Sequence, residues 1–182
     1  GLVYWDGDTR IFNPYARASY YFLTEEDAPS KMEVVDYSQG VEGAFVDSFT
    51  DHLLYEKDEY AYGQLGRNLF ESANFSSVGS RTYKLTTPAN SVSNERLTIA
   101  FTAGASSITK MSAQVNGQSV GGFDLGSTVQ YVCGTSNSKT FDVSSCKTGK
   151  EWTVKISSTQ GNEAHLDYLA LHYSRAINPG DS

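Results

Sequence analysis

From Arg81 onward the chain is a succession of short segments: "RTYKLTT", "ERLTIAFTA", "ITKMSAQV", "QSVGGFDL", "TVQYVC", "KTFDV", "EWTVKISS" and "AHLDYLALHY", divided by Gly, Asn, Ser or Pro. Each alternates with period two or is a β-branched run, which predicts eight strands with side chains on opposite faces. Val115-Asn116-Gly117-Gln118 is the sharpest local signal. Asn-Gly supplies the positive φ angles that a type I′ hairpin turn requires, so it joins two antiparallel strands. In "EWTVKIS", Trp152, Val154 and Ile156 share one face, which places Trp152 in the core. In the last segment Leu166, Tyr168 and Ala170 alternate with Asp167, Leu169 and Leu171. Both faces are apolar enough to predict a central strand.

Before Arg81 the order is looser. "ASYYFLT" and "SKMEVVDY" read as strands around the turn "EEDAPS", and "GAFVDSFTDHLLYE" reads as one long strand. Regularly spaced strands without helical periodicity predict an all-β antiparallel sandwich of jelly-roll type. The 182 residues suit a single domain with a sizeable core, residues 56–80 being an irregular connection between the N-terminal strands and the main series.

The net charge of -7 argues against a nucleic-acid partner, which needs clustered Lys and Arg. No apolar run approaches the roughly 20 residues that span a bilayer as a helix. Cys133 and Cys146 are the two cysteines, with "GTSNSKTFDVSS" between them. In a Ser/Thr-rich chain their spacing predicts a disulfide and an oxidising compartment. "DGD" at Asp6 to Asp8 and "EED" at Glu25 to Asp27 match no EF-hand loop, and three scattered His make a poor zinc set, so no metal or cofactor is expected. A catalytic Cys–His pair is not expected either, because neither Cys sits at a strand-to-helix turn that would lower its pKa. Among the 21 acidic residues, only a cleft would give a carboxylate pair glycosidase meaning.

Three segments, in order, carry a family resemblance: "FNPYARASYYFLT", "HLLYEKDEYAYGQLGR" and "HLDYLALHYSRAI". Together they resemble the β-rich region that precedes the catalytic domain of gingipain-like cysteine peptidases, closest to the sortase of the Bacteroidetes type IX secretion system. The resemblance rests on Asn13 with Tyr15 before Tyr21-Phe22-Leu23, on Tyr55-Glu56-Lys57-Asp58 leading to Gly66-Arg67, and on Leu166-Asp167-Tyr168. It departs from the family after Gly66-Arg67, where Leu69 stands in place of a Trp and the Gly-Glu step is missing. The resemblance implies a non-catalytic accessory domain of a secreted or outer-membrane peptidase whose Cys and His lie in a separate domain. It would scaffold that domain, its partner in the same parent chain, or position a protein substrate.

Residues 55 to 71 crowd charged and aromatic side chains together. They are expected to leave the sheet after Tyr55 with their charges facing water, Leu65, Leu69 and Phe70 covering a sheet edge, and Arg67 pairing with Glu56, Asp58 or Glu71. Tyr60, Tyr62 and Arg67 are the candidates for docking to a neighbouring domain. The alternative reading is a carbohydrate-binding module of a cell-surface glycan system, with Tyr4, Trp5, Tyr60 and Tyr62 as stacking residues.

Overall fold

The computed structural model describes residues 2–6, 9–13, 46–62, 68–89, 91–158 and 162–177. The chain divides into two compact units, Gly1–Phe45 and Val46–Ser182. In the first, β1 (Leu2–Asp6) and β2 (Thr9–Asn13) pair antiparallel, with Leu2 opposite Asn13 and Asp6 opposite Thr9. The expected strands "ASYYFLT" and "SKMEVVDY" lie outside the described residues.

The second unit is a sandwich of two four-stranded antiparallel sheets. One sheet runs β3 (Ser48–Glu56), β10 (Ala164–Ala176), β5 (Ser91–Ala103), β8 (Thr135–Asp142). The other runs β4 (Ser80–Thr86), β9 (Glu151–Ser158), β6 (Thr109–Val115), β7 (Gln118–Leu125). Along β4, β6 and β9 every second side chain turns inward, and the core forms between Leu97, Ile99 and Phe101 on the first sheet and Val115, Leu125, Trp152, Val154 and Ile156 on the second. One short helix, α1 (Phe75–Val78), leads into β4. It is capped by the Asn74 side chain, which accepts from Ser76 N–H, and it plugs Phe75 against Phe101 edge to face.

The hairpin predicted at Asn116-Gly117 is present, with φ of 48° and 82°. Asn116 does more than turn the chain: its Oδ1 accepts from Thr153 N–H at 2.8 Å and its Nδ2 donates to the Cys146 carbonyl at 2.9 Å. The hairpin is thereby tied to β9 and to the 3-10 turn Ser144–Cys146. Beside that turn, buried Glu95 takes the Lys147 ammonium at 2.5 Å, and Lys147 also reaches the Ser91 carbonyl at 3.2 Å.

The structure corrects three expectations. "TVQYVC" is not a strand. It lies in the connection that carries the chain from the end of β7 to the start of β8, from one sheet to the other, where no neighbouring ladder is available. Val132 N–H bonds to the Val129 carbonyl in a tight turn, and Tyr131 stands at φ 72°, 94% exposed.

The two cysteines are free, Cys133 exposed and Cys146 buried. The eight residues of β8 lie between them. An extended strand of that length spans roughly 23 Å, where a disulfide needs Cα atoms within about 7 Å. The compartment argument built on that bridge falls with it.

The third correction concerns β10. It is central, as expected, but a bulge between Leu166 and Tyr168 interrupts its alternation. Leu166 faces the core with Leu169 and Leu171, while Tyr168 and Ala170 turn to the outer face.

Candidate functional site

Beyond Glu56 the chain leaves β3 and loops back on itself through one isolated bridge, Tyr60 with Phe70, whose backbone hydrogen bonds both measure 2.8 Å. Glu71 N–H then bonds to the Leu166 carbonyl at 2.9 Å, which pins the returning chain to β10. This places the Glu71 side chain inside the protein, 1% exposed. Its carboxylate accepts from the Tyr55 hydroxyl at 2.6 Å and from the Tyr83 hydroxyl at 2.7 Å, and Arg81 Nη2 lies 3.3 Å away. Tyr55 belongs to one sheet and Tyr83 and Arg81 to the other, so one buried anion links both layers. Burial, then the hydrogen bond and charge of Glu71, pushes Tyr55 up to about 12; the same causes raise Tyr83. The expectation that the charges of residues 55 to 71 face water is therefore wrong for Glu71. Its partner is Arg81, and Arg67 lies outside the described residues.

The aromatics of the same segment cover the outer face of the first sheet. Tyr60 stacks on His165 with ring centroids 4.1 Å apart, and its hydroxyl donates to Glu163 Oε1 at 2.7 Å. Tyr62 meets His165 and Phe70 edge on and donates to the Thr102 carbonyl at 2.9 Å. Its ring sits in a notch made by two glycines. A Cβ on Gly104 would collide with the ring, and one on Gly134 would lie 2.8 Å from Thr102 Cγ2 and 3.4 Å from Tyr62. His165, 1% exposed, has Nδ1 2.8 Å from the Glu71 carbonyl, so Nδ1 carries the proton. Its Nε2 is 3.4 Å from Glu163 Oε1 but makes no hydrogen bond.

Tyr62, expected as an exposed docking or stacking residue, is thus buried, and Tyr60 is half-buried with its hydroxyl engaged. In the charged segment both looked exposed, because their partners Thr102, Glu163 and His165 are remote in sequence. Tyr4 and Trp5 occupy β1 opposite Ile11 and Arg10.

The outer face opens next to Tyr62 into a groove of about 330 Å³. Its floor is Ala100, flanked across the sheet by Tyr168 on β10 and Ser138 on β8. Ser136, locked to Thr102 by a 2.7 Å hydroxyl contact, bounds the end near Tyr62, and Asp167 stands beside Tyr168 at the bulge. Sequence reasoning missed this groove. The signal was the three-residue step from Leu166 to Leu169, too long for a strict alternation of core side chains.

No protein-family model matches the sequence, and no curated protein is similar to it. Solved structures are. Dimeric latent PorU from Porphyromonas gingivalis superposes with a TM-score of 0.64 at 20% identity, over 76% of this chain and 14% of that one. The chain thus spans about a seventh of the PorU chain, and the likeness is one of fold. A family 35 carbohydrate-binding module from Clostridium thermocellum superposes with a TM-score of 0.42 at 14% identity, over 69% of this chain and 98% of that one. The CBM36-1 domain of a multidomain xylanase from the hindgut metagenome of Trinervitermes trinervoides gives 0.42 at 12% identity, over 66% and 96%.

Proposed function

We propose that the chain is a non-catalytic accessory domain of a larger gingipain-like cysteine peptidase, of the type IX secretion sortase kind, at the cell surface or secreted. It scaffolds the catalytic domain of the same parent chain or positions its protein substrate. The observation that carries the reading is the superposition on latent PorU, which takes in 76% of this chain yet only a small part of that protein. Two of the side chains that peptidase chemistry would recruit have other work here: Cys146 is buried and donates to Gln118 Oε1 at 3.8 Å, and His165 stacks on Tyr60 and bonds to the Glu71 carbonyl. A scaffold must keep its own shape under load, and the Glu71 hub, which fastens both sheets to one connection, suits that demand.

The test is to express the complete reading frame that contains this sequence and to assay cleavage of fluorogenic peptides with and without residues 46–176. Loss of a peptidase activity that resides elsewhere in the frame supports the scaffold. A frame that encodes no cysteine peptidase, or full activity after the deletion, overturns it.

A further inference from the structure

Between the end of β7 and the start of β8 the chain builds a loop that is anchored at its base and bare at its tip. Thr135 Oγ1 donates to the Ser127 carbonyl at 3.4 Å, and Thr128 bonds to the Ala105 carbonyl through both its N–H, at 2.7 Å, and its hydroxyl, at 2.9 Å. Beyond that base, Val129 to Val132 form a turn closed by the 3.0 Å bond from Val132 N–H to the Val129 carbonyl. Its third residue is Tyr131, at φ 72°. A turn with positive φ at that position ordinarily carries Gly or Asn, and a bulky side chain there is strained. The ring gives nothing back inside the domain, being 94% exposed beside Val129 at 68% and Val132 at 44%. Strain of this kind, held by an anchored loop, marks a side chain kept for display.

Three properties of the tip narrow what covers it. No charged residue lies between Asp124 and Lys139, so ion pairs do not choose the partner. Ser127 and Gln130 set a hydroxyl and an amide beside the ring, the chemistry of a loop that docks on protein; a loop that sinks into lipid pairs Trp, Phe or Leu with Lys and Arg. Area is the third property. Tyr131, Val129 and Val132 expose on the order of 400 Å², about half of the roughly 800 Å² that each partner contributes to a stable interface. Two free molecules, a second copy of this chain among them, would not stay together on so little. A partner tethered in the same polypeptide meets the loop at an effective concentration on the order of millimolar, where a small anchor suffices.

We propose that Tyr131 is the anchor by which this domain docks on the catalytic domain of its own parent chain, its ring entering an uncharged apolar pocket with Val129 and Val132 on the rim. The inference rests on the accessory-domain reading and names its contact surface. It takes the docking role from Tyr60 and Tyr62, whose hydroxyls are bonded to Glu163 and to the Thr102 carbonyl. The wall of the groove over Ala100 is likewise occupied, Asp167 and Tyr168 both having partners within the structure.

The experiment puts the photo-crosslinking residue p-benzoylphenylalanine in place of Tyr131 in the complete reading frame that contains this sequence. The purified protein is irradiated with and without phosphatidylcholine vesicles, and the joined peptides are mapped by mass spectrometry. Position 131 should cross-link within one chain to the catalytic domain. The same residue in place of Val92, 57% exposed at the opposite end of β5 from Ala105, should not reach that peptide. Tyr131→Gly keeps the turn and deletes the ring, and it should speed amide exchange severalfold in the catalytic-domain peptide that position 131 captures. The inference is overturned if position 131 cross-links to nothing, only to a second copy or only to lipid, if position 92 captures the same peptide, or if Tyr131→Gly leaves its exchange unchanged. A frame that encodes no cysteine peptidase overturns the accessory-domain reading and this inference together, whereas a peptidase frame in which position 131 misses the catalytic domain overturns this inference alone.

Discussion

Tyr83 and Glu71 share a 2.7 Å hydrogen bond in which the hydroxyl of one sheet donates to a carboxylate held on the connection between the sheets. Tyr55, from the other sheet, closes the same link from the opposite side at 2.6 Å. Removing the acceptor strands two hydroxyls, while Arg81, 39% exposed, can turn to water. Glu71→Ala should cost about 2–4 kcal/mol, chiefly from the two unsatisfied hydroxyls. Glu71→Gln keeps an acceptor and should cost only about 1–2 kcal/mol. Urea denaturation of the two variants checks the order. Equal losses would mean that shape, rather than acceptance, is what Glu71 supplies.

Alkali should attack this hub and the Tyr173–Asp51 contact alike. Tyr55 and Tyr173 are each held up to about 12, first by burial and then by a bonded carboxylate, Glu71 for one and Asp51 for the other. Unfolded tyrosine ionises at 10. Since the folded values lie above the unfolded one, their stabilisation is complete below pH 10 and is lost as pH rises through 12. Tyrosinate absorbance should titrate in two stages, with the urea midpoint flat up to pH 10 and falling beyond it. A single stage at the ordinary value would refute the assignment.

Gly104 should be intolerant of a side chain because Tyr62 occupies the space, and Gly134 because Thr102 Cγ2 does. Gly104→Ala should cost about 1–3 kcal/mol by overpacking. Combined with Tyr62→Ala, which empties the notch, it should cost clearly less than the sum of the two single changes, a coupling that a double-mutant cycle reads directly.

The thiols should differ in rate. In the native protein a thiol reagent should modify exposed Cys133 at once, and Cys146 only on unfolding. Failure of the denatured, unreduced protein to react at either thiol would restore the abandoned disulfide.

Tyr131 stands at φ 72° with almost nothing covering it. Relief of that left-handed backbone should make Tyr131→Gly neutral or stabilising by up to about 1 kcal/mol, seen as a rise in Tm. A clear loss would mean the ring has a contact that its exposure conceals.

The strands were legible because half-buried sheets write their period into the sequence. β7 and β9 begin and end where "QSVGGFDL" and "EWTVKISS" do, and Asn116-Gly117 turns as its chemistry demands. "TVQYVC" misled because β-branched residues report propensity, whereas a strand also needs a neighbour. The cysteines misled because separation in sequence says little about separation in space when a straight strand intervenes. The hub was hidden for a related reason. Glu71 looks like any surface acid until Tyr55 and Tyr83, 16 and 12 residues distant, are brought to it. The groove was obscured because a bulge shifts the facing of every later residue in β10 by one step.

β10 separates β3 from β5, and Tyr173 reaches Asp51 across 122 residues of sequence. A polypeptide made or threaded from its N-terminus therefore delivers β3 and β5 long before the strand that joins them. Until Ala164–Ala176 arrives, both present unpaired backbone edges, the form in which β proteins capture one another. The first sheet can therefore close only when its last strand arrives, whereas every strand of the second sheet precedes Ala164.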